Sequence, residues 1–157
     1  MQYLIDFLTN PCLIVPLSAW LIAQLLKTFI NLIVNKEFKL ERLWGDGGMP
    51  SAHSAIVASL ATMCGLTCGL GSPYFAVSFI FAVIVMHDAV GVRREAGKQA
   101  VTLKKLANLV NGAISDPDKL IRTEKLKVLV GHTPLQVVVG ALIGALVAII
   151  SHLWIFI

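Results

Sequence analysis

Three long stretches without a single charged side chain constrain this chain more than any other feature of its sequence. They cover residues 7–26, 54–86 and 133–157, and none of them contains Asp, Glu, Lys or Arg. About 20 consecutive apolar residues suffice to cross a bilayer, so the middle stretch is long enough for two crossings. It is divided by Gly69-Leu70-Gly71-Ser72-Pro73, a run typical of a tight turn.

These stretches predict an all-α integral membrane protein, folded as one domain over residues 1–157. We expect a four-transmembrane-helix bundle with a cytoplasmic amphipathic helical segment between helices 3 and 4. The chain is 57% hydrophobic and only 14% charged, far less charged than an average soluble domain. The first span lacks a basic leader, which indicates a retained helix rather than a signal peptide. The spans are predicted at about residues 9–34, 51–69, 74–97 and 133–155, and the amphipathic segment at 99–131.

The basic residues predict the orientation of the bundle. Of the 13 Lys and Arg residues, all but Lys27 lie within segments 36–42 and 93–127. With four spans, both segments fall on one side, and the positive-inside rule makes that side cytoplasmic. We therefore expect a multi-pass protein of the plasma membrane whose basic side faces anionic lipid headgroups. No folded basic module accompanies these charges, so no nucleic-acid partner is expected.

A polar motif, Gly47-Gly48-Met49-Pro50-Ser51-Ala52-His53-Ser54, opens the second predicted span. Its glycines, Gly48 among them, leave backbone N–H groups accessible to an anion. A helix that begins near Pro50 directs further N–H groups and the positive end of its dipole to the same place. Ser51 and Ser54 lie three residues apart and face one direction, and His53 can exchange a proton with a bound group.

Three more polar clusters fall at the same predicted membrane level: one on the first helix, one around Asp88 at the end of the third and one before the fourth. Gln24, Lys27 and Asn31 form one stripe on the first helix, which favours a cation pointed into the bundle. Thr133 and Gln136 are spaced as a capping box, which leaves the preceding histidine unexplained. Four helix ends thus bring together two histidines, one carboxylate and up to three cations, a set that suits a phosphate group. The candidate residues in these clusters are Lys27, Asp88, Arg93, Arg94 and His132.

The motifs resemble those of the type-2 phosphatidic acid phosphatases, the superfamily shared with vanadium haloperoxidases. Met49-Pro50-Ser51-Ala52-His53 is similar to its Pro-Ser-Gly-His motif. Together with Asp88-Ala89-Val90-Gly91-Val92-Arg93-Arg94 and Gly131-His132-Thr133-Pro134, the pattern resembles the divergent branch of small bacterial and plastid membrane proteins. The resemblance covers nearly the whole chain. It implies hydrolysis of a lipid phosphate without a metal or other cofactor.

The resemblance also implies roles for the candidate residues. His132 would be the nucleophile that forms a phosphohistidine, and His53 the acid; the reverse, with Asp88 orienting His53, stays open. Leu126 and Gln136 stand where the superfamily pattern has an arginine and an aspartate. Arg93, Arg94 and Asp88 would supply those groups from the preceding helix. The expected phosphate-binding residues are Lys27, Gly48, Ser51, Arg93 and Arg94.

The predicted cytoplasmic site favours phosphatidylglycerophosphate as the substrate, because that lipid is dephosphorylated at the cytoplasmic face. Phosphatidic acid and prenyl (pyro)phosphate are the alternative substrates. Two other functions stay open. One is a catalytically silent membrane protein that binds anionic lipid or a protein partner, and the other is a metal-dependent enzyme with His53, Asp88 and His132 as ligands. Small-residue faces on the second and fourth spans leave a homodimer open.

Overall fold

The computed structural model describes residues 1–35, 48–112, 121 and 131–156. These residues form six α-helices, and no β-strand occurs among them. The chain between the first two predicted spans, at residues 36–47, lies outside the described residues. So does the predicted amphipathic segment 99–131 beyond residue 112, apart from residues 121 and 131. The helices are α1 (Gln2–Thr9), α2 (Pro11–Asn35), α3 (Ala52–Cys68), α4 (Pro73–Val90), α5 (Val92–Gly112) and α6 (Pro134–Phe156).

Helix α3 is the centre of the bundle and contacts α2, α4 and α6. It is rich in Ala, Ser and Gly, and these small side chains let neighbouring helices approach closely. Its buried residues are Ala52, Ser54, Ala55, Val57, Ser59, Ala61, Met63 and Cys64. The three surrounding helices instead turn large apolar side chains outward, such as Leu25, Phe79 and Leu146, each about half exposed or more. Such extensive apolar exposure is expected against lipid and not against water.

The prediction of four spans is confirmed in part. Three helical segments, Pro11–Val34, Pro73–Asn111 and Pro134–Ile155, are long and apolar enough to cross a membrane. The fourth, α3, is apolar but has 17 residues. At 1.5 Å per residue it measures about 26 Å, less than the roughly 30 Å of a bilayer's hydrocarbon core. Its central position explains why it can be short, since its neighbours cover most of its surface.

Two contacts fix the directions of the helices. Gly140 of α6 lies against the carbonyl oxygen of Ser51, and Gly144, one turn further on, lies against that of Ala55. Helices α3 and α6 therefore run parallel and begin at the same end of the bundle. Any side chain at either glycine would collide with backbone of α3, which accounts for the predicted small-residue pattern on α6. Helix α2 runs antiparallel to α3, because Ala23 clusters with Ala52 and Ala55 near the start of α3, whereas the earlier residue Val15 clusters with Met63 towards its end.

The third predicted span, 74–97, is divided at Gly91 in the structure. Helix α4 ends at Val90, and Gly91 interrupts the helix with φ −91° and ψ −95°. Its N–H still bonds to the carbonyl oxygen of His87 at 2.9 Å. The amphipathic helix therefore begins at Val92 instead of residue 99. Arg93 and Arg94 lie in the first turn of α5 and not at the end of the span.

Two helix starts also differ from the predicted ones. The eight-residue helix α1 precedes the first span, and Asn10 separates it from α2 and accepts a hydrogen bond from the N–H of Cys12 at 2.9 Å. The second span begins at Ala52, with Ser51 as its N-cap, so Pro50 lies before the helix instead of in its first turn. The predicted capping box of α6 is confirmed. Thr133 N–H donates to Gln136 Oε1 at 2.9 Å, and Gln136 N–H donates to Thr133 Oγ1 at 3.4 Å.

Candidate functional site

The candidate site lies at the end of the bundle where α3 and α6 begin, and it is built around Ser51. The Ser51 N–H donates to the carbonyl oxygen of Gln136 at 3.1 Å, which joins the start of α3 to the first turn of α6. The Ser51 hydroxyl accepts from the Ser54 N–H at 3.3 Å and from the Ser54 hydroxyl at 3.0 Å. Both serines are fully buried. Because both lone pairs of the Ser51 oxygen are used, its own O–H is left as a donor for an anion.

The structure brings the two predicted histidines together. The His53 ring on the first turn of α3 and the His132 ring just before α6 have centroids 6.4 Å apart and planes at 87°. His132 is 5% exposed, and its backbone N–H donates to the carbonyl oxygen of Ala89 at 3.2 Å. His53 is half-buried. The two rings are thus in an edge-to-face arrangement.

The side chain of Lys27 packs against Gly48, three residues before Ser51. It is 6% exposed, and its Cγ and Cδ atoms lie 3.3 Å from the position that a Cβ at residue 48 would occupy. Gly48 has φ +92°, a conformation that residues with side chains rarely adopt. The glycine therefore allows both the backbone turn and the close approach of the lysine stem. Lys27, His53 and His132 each make a further polar or electrostatic contact, so none of the three is without a partner.

Asp88 and Arg93 form an ion pair at the edge of the site. The Arg93 Nε donates to Asp88 Oδ2 at 2.7 Å, with side chains 55% and 40% exposed, respectively. An ion pair this exposed contributes little to stability. Arg93 thus supplies Asp88 with a cationic partner.

Backbone contacts connect this edge to the buried histidine. Gly131 packs so closely against the backbone of Arg93 and Arg94 that a Cβ there would overlap it. The neighbouring bond from His132 to Ala89 fixes the end of α4 beside the start of α6. The four predicted helix ends therefore meet at one end of the bundle, with Lys27, Ser51, His53 and His132 more deeply placed than Asp88 and Arg93.

A match to a known protein family shows which family this chain belongs to. The model of the Divergent PAP2 family matches residues 8–147, which include every residue of the site. The chain belongs to the divergent PAP2 family. The resemblance predicted from the Ser51–His53 and His132 motifs is thereby confirmed.

A curated relative extends the match to most of the chain. The chain is 43% identical over 151 residues to the uncharacterized membrane protein YuiD of Bacillus subtilis strain 168. The alignment covers 92% of this chain and 96% of that protein. This divergent PAP2 protein is thus a membrane protein by its helices and by its relative. No solved structure matches it.

The described residues contain no group of three or more His, Cys, Asp or Glu side chains that could hold a metal ion. His53, Asp88 and His132 are therefore not brought together there as a ligand cluster.

The sequence did not predict the backbone groups that hold the site residues in place. The carbonyl oxygens of Ala89 and Gln136 fix His132 and Ser51, respectively. No residue type marks a carbonyl oxygen for such a role, so neither contact could be predicted directly. The small-residue pattern on α6 was the available clue, since it permits the close approach on which the Ser51 contact depends.

Proposed function

We propose that this protein is a lipid phosphate phosphatase that hydrolyses a phosphomonoester through a phosphohistidine intermediate. The observation that carries the proposal is the pair of imidazole rings 6.4 Å apart at the end of the bundle where α3 begins, the end at which buried Lys27 packs against Gly48. The cation, the Ser51 hydroxyl and the N–H groups of the first helical turn suit a phosphoryl group. Membership of the divergent PAP2 family agrees with this chemistry.

In the first step a ring nitrogen of His132 attacks phosphorus, and the bond from phosphorus to the ester oxygen breaks. His53, protonated, gives its proton to the departing alcohol. In the second step His53 takes a proton from water as the water oxygen attacks phosphorus. The phosphorus–nitrogen bond then breaks, which releases inorganic phosphate and restores both histidines. Lys27, Ser51 and the Gly48 region hold the charge on the phosphoryl oxygens. Arg93 and Arg94 lie at the site's edge and would attract the anionic headgroup.

His132 is the better candidate nucleophile because it is more deeply buried than His53 and its backbone is fixed to α4. The half-buried His53 is better placed to exchange protons with an alcohol and with water. The proposed substrate is phosphatidylglycerophosphate, acted on at the cytoplasmic face of the plasma membrane. Phosphatidic acid and prenyl (pyro)phosphate are the competing substrates.

The proposal is tested by phosphate release from each of these lipids in detergent micelles, with EDTA present. The proteins to compare are the wild type, His132→Ala, His53→Ala and a control, His87→Ala, whose side chain is exposed on α4. We expect release by the wild type and the control and none by the two site variants. Activity that survives in His132→Ala and His53→Ala would refute the mechanism, and activity restored only by a divalent ion would favour the metal-dependent alternative.

A second candidate function is binding of anionic lipid without turnover. It is favoured by the contact of Asp88 with Arg93, because the Oδ2 atom that Arg93 engages is then not available to orient a histidine. Saturable binding of phosphatidylglycerophosphate, with no release of phosphate from any of the lipids above, would establish this alternative.

A further inference from the structure

Gln24 is a buried polar side chain that the proposed mechanism does not use. It lies on α2 one turn before Lys27, on the same polar stripe, and is 7% exposed. Its Oε1 atom is fully buried and has no hydrogen-bond partner within the part of the chain that the structure describes. An amide oxygen removed from water without a partner is destabilising, and such atoms are rare in folded proteins.

The depth of Gln24 along the bundle follows from its neighbours on α2. Ala23 packs with Ala52 and Ala55, so this part of α2 faces the first turns of α3. Lys27 is one turn closer to the end of the bundle, where its stem rests against Gly48. Three helical residues correspond to about 4.5 Å along the axis. The unpartnered oxygen thus lies about one turn deeper in the bundle than the cation of the phosphate site.

We propose that Gln24 determines the substrate specificity of this site, with Oε1 accepting a hydrogen bond from a hydroxyl on the lipid headgroup. The inference rests on the proposed phosphatase function. A lipid held with its terminal phosphate near Lys27 and its acyl chains toward the membrane places the next part of the headgroup deeper. A hydroxyl on the carbon adjacent to the phosphate ester falls at that depth, because only a short chain of bonds separates it from phosphorus.

This chemistry separates the three candidate substrates. The phosphoglyceryl headgroup of phosphatidylglycerophosphate carries a free hydroxyl next to its terminal phosphate ester. In phosphatidic acid the oxygen on the adjacent carbon is acylated. A prenyl phosphate has no oxygen on that carbon. A site built to bond a substrate hydroxyl rejects analogues that lack it, because its own polar group is then left buried and unpaired. Gln24 would therefore select for a phosphomonoester with a vicinal hydroxyl.

The bundle offers a matched control in Ser59. Its hydroxyl is also fully buried and also lacks a hydrogen-bond partner among the described residues. It lies on α3 about two turns beyond Ser51, deeper in the membrane-spanning part. Loss of this hydroxyl removes a second unpartnered polar group without touching the proposed headgroup position.

The experiment compares kcat/KM for phosphatidylglycerophosphate and phosphatidic acid in the wild type, Gln24→Met, Gln24→Leu and Ser59→Ala. Methionine has nearly the length of glutamine and is apolar, so it suits the interior of the bundle. We expect the ratio of the two values to fall at least about tenfold in both Gln24 variants and to stay unchanged in Ser59→Ala. A ratio in the Gln24 variants equal to that of the wild type would overturn the inference and leave the phosphatase proposal intact.

Equilibrium binding of the same two lipids to detergent-purified protein separates this inference from the proposed function. If no variant releases phosphate, tighter binding of the hydroxyl-bearing lipid that is lost in Gln24→Met still supports the role of Gln24. Equal affinity of the wild type for both lipids would overturn it. A merely structural role of Gln24 would change both affinities together and leave their ratio constant.

Discussion

The two ends of α3 are packed by different kinds of side chain. At its start, Ser51, Ser54 and the neighbouring His132 are buried. Backbone hydrogen bonds join Ser51 to α6 and His132 to α4, and the Ser54 hydroxyl donates to that of Ser51. At its far end, Cys64 lies 3.9 Å from Cys12 between their sulfur atoms, and a cluster of Val15, Met63 and Ala148 fills the space beside it. Sulfur and aliphatic groups pack without needing fixed partners, whereas buried polar groups need specific ones. Chemistry is therefore expected at the start of α3, and packing alone at its end.

The largest effect is expected from the nucleophile. His132→Ala should lower kcat for phosphatidylglycerophosphate by about 10³-fold or more, because the phosphohistidine can no longer form. The measurement is phosphate release at saturating lipid. His87→Ala, in which an exposed histidine is removed, should stay within about twofold of the wild type, in the range expected of a residue outside the site.

The next effect is expected from the buried cation. Lys27→Met keeps the stem that packs against Gly48 and removes the charge, so kcat/KM should fall about 10²- to 10³-fold. Lys98→Met is the matched control, since Lys98 lies exposed on α5 in a pair with Glu95. Equal losses in the two variants would show that general attraction to the anionic lipid, and not a cation in the site, explains the effect.

A third effect concerns stability at the α3–α6 contact. Gly144→Ala should lower the free energy of unfolding by about 1–3 kcal/mol, because the new methyl group collides with the carbonyl oxygen of Ala55. Gly71→Ala, which meets nothing within 4 Å, should change it by less than about 0.5 kcal/mol. Thermal unfolding in detergent compares the two variants. Similar stability of both would contradict the close packing of the parallel helices.

The smallest effect is expected at the far end of α3. Cys64→Ala removes a buried sulfur and should cost about 1 kcal/mol of stability while leaving phosphatase activity within about twofold. Phosphate release and thermal unfolding of the same preparation are the two measurements. A folded Cys64→Ala protein without activity would break the comparison, since it would place chemistry at both ends of the helix.

Much of the fold was predictable from where charge is absent. The charge-free stretches located α2, α4 and α6, whose starts lie within a few residues of the predicted ones, because a segment buried in lipid excludes charge. The capping residue Thr133 marked the start of α6, since its side chain satisfies a first N–H group of the helix. The start of α3 was predicted near Pro50, whereas Ser51 is its cap. The interruption at Gly91 was not predicted as a helix end, because a glycine in an apolar run is compatible with continuing the helix.

The residues of the candidate site could be predicted from the sequence, but their relative positions and contacts could not. The spacing of His53 and His132 in the chain places both at helix starts, which is why they meet when α3 and α6 run parallel. The engagement of Asp88 by Arg93 depends on the break between α4 and α5, which re-aims the arginine, so the sequence alone left the partner of that carboxylate open. The unpartnered oxygen of Gln24 likewise appears only when its surroundings are packed.

The central claim is that phosphate passes through a histidine, and a rapid-quench experiment tests it most directly. Wild-type protein is mixed with lipid labelled in the terminal phosphate, denatured within one turnover and digested. The account predicts label that is lost in acid and retained in alkali, on the peptide that contains His132, and absent from His132→Ala. Phosphate release without labelled protein, or label confined to another residue, would contradict it.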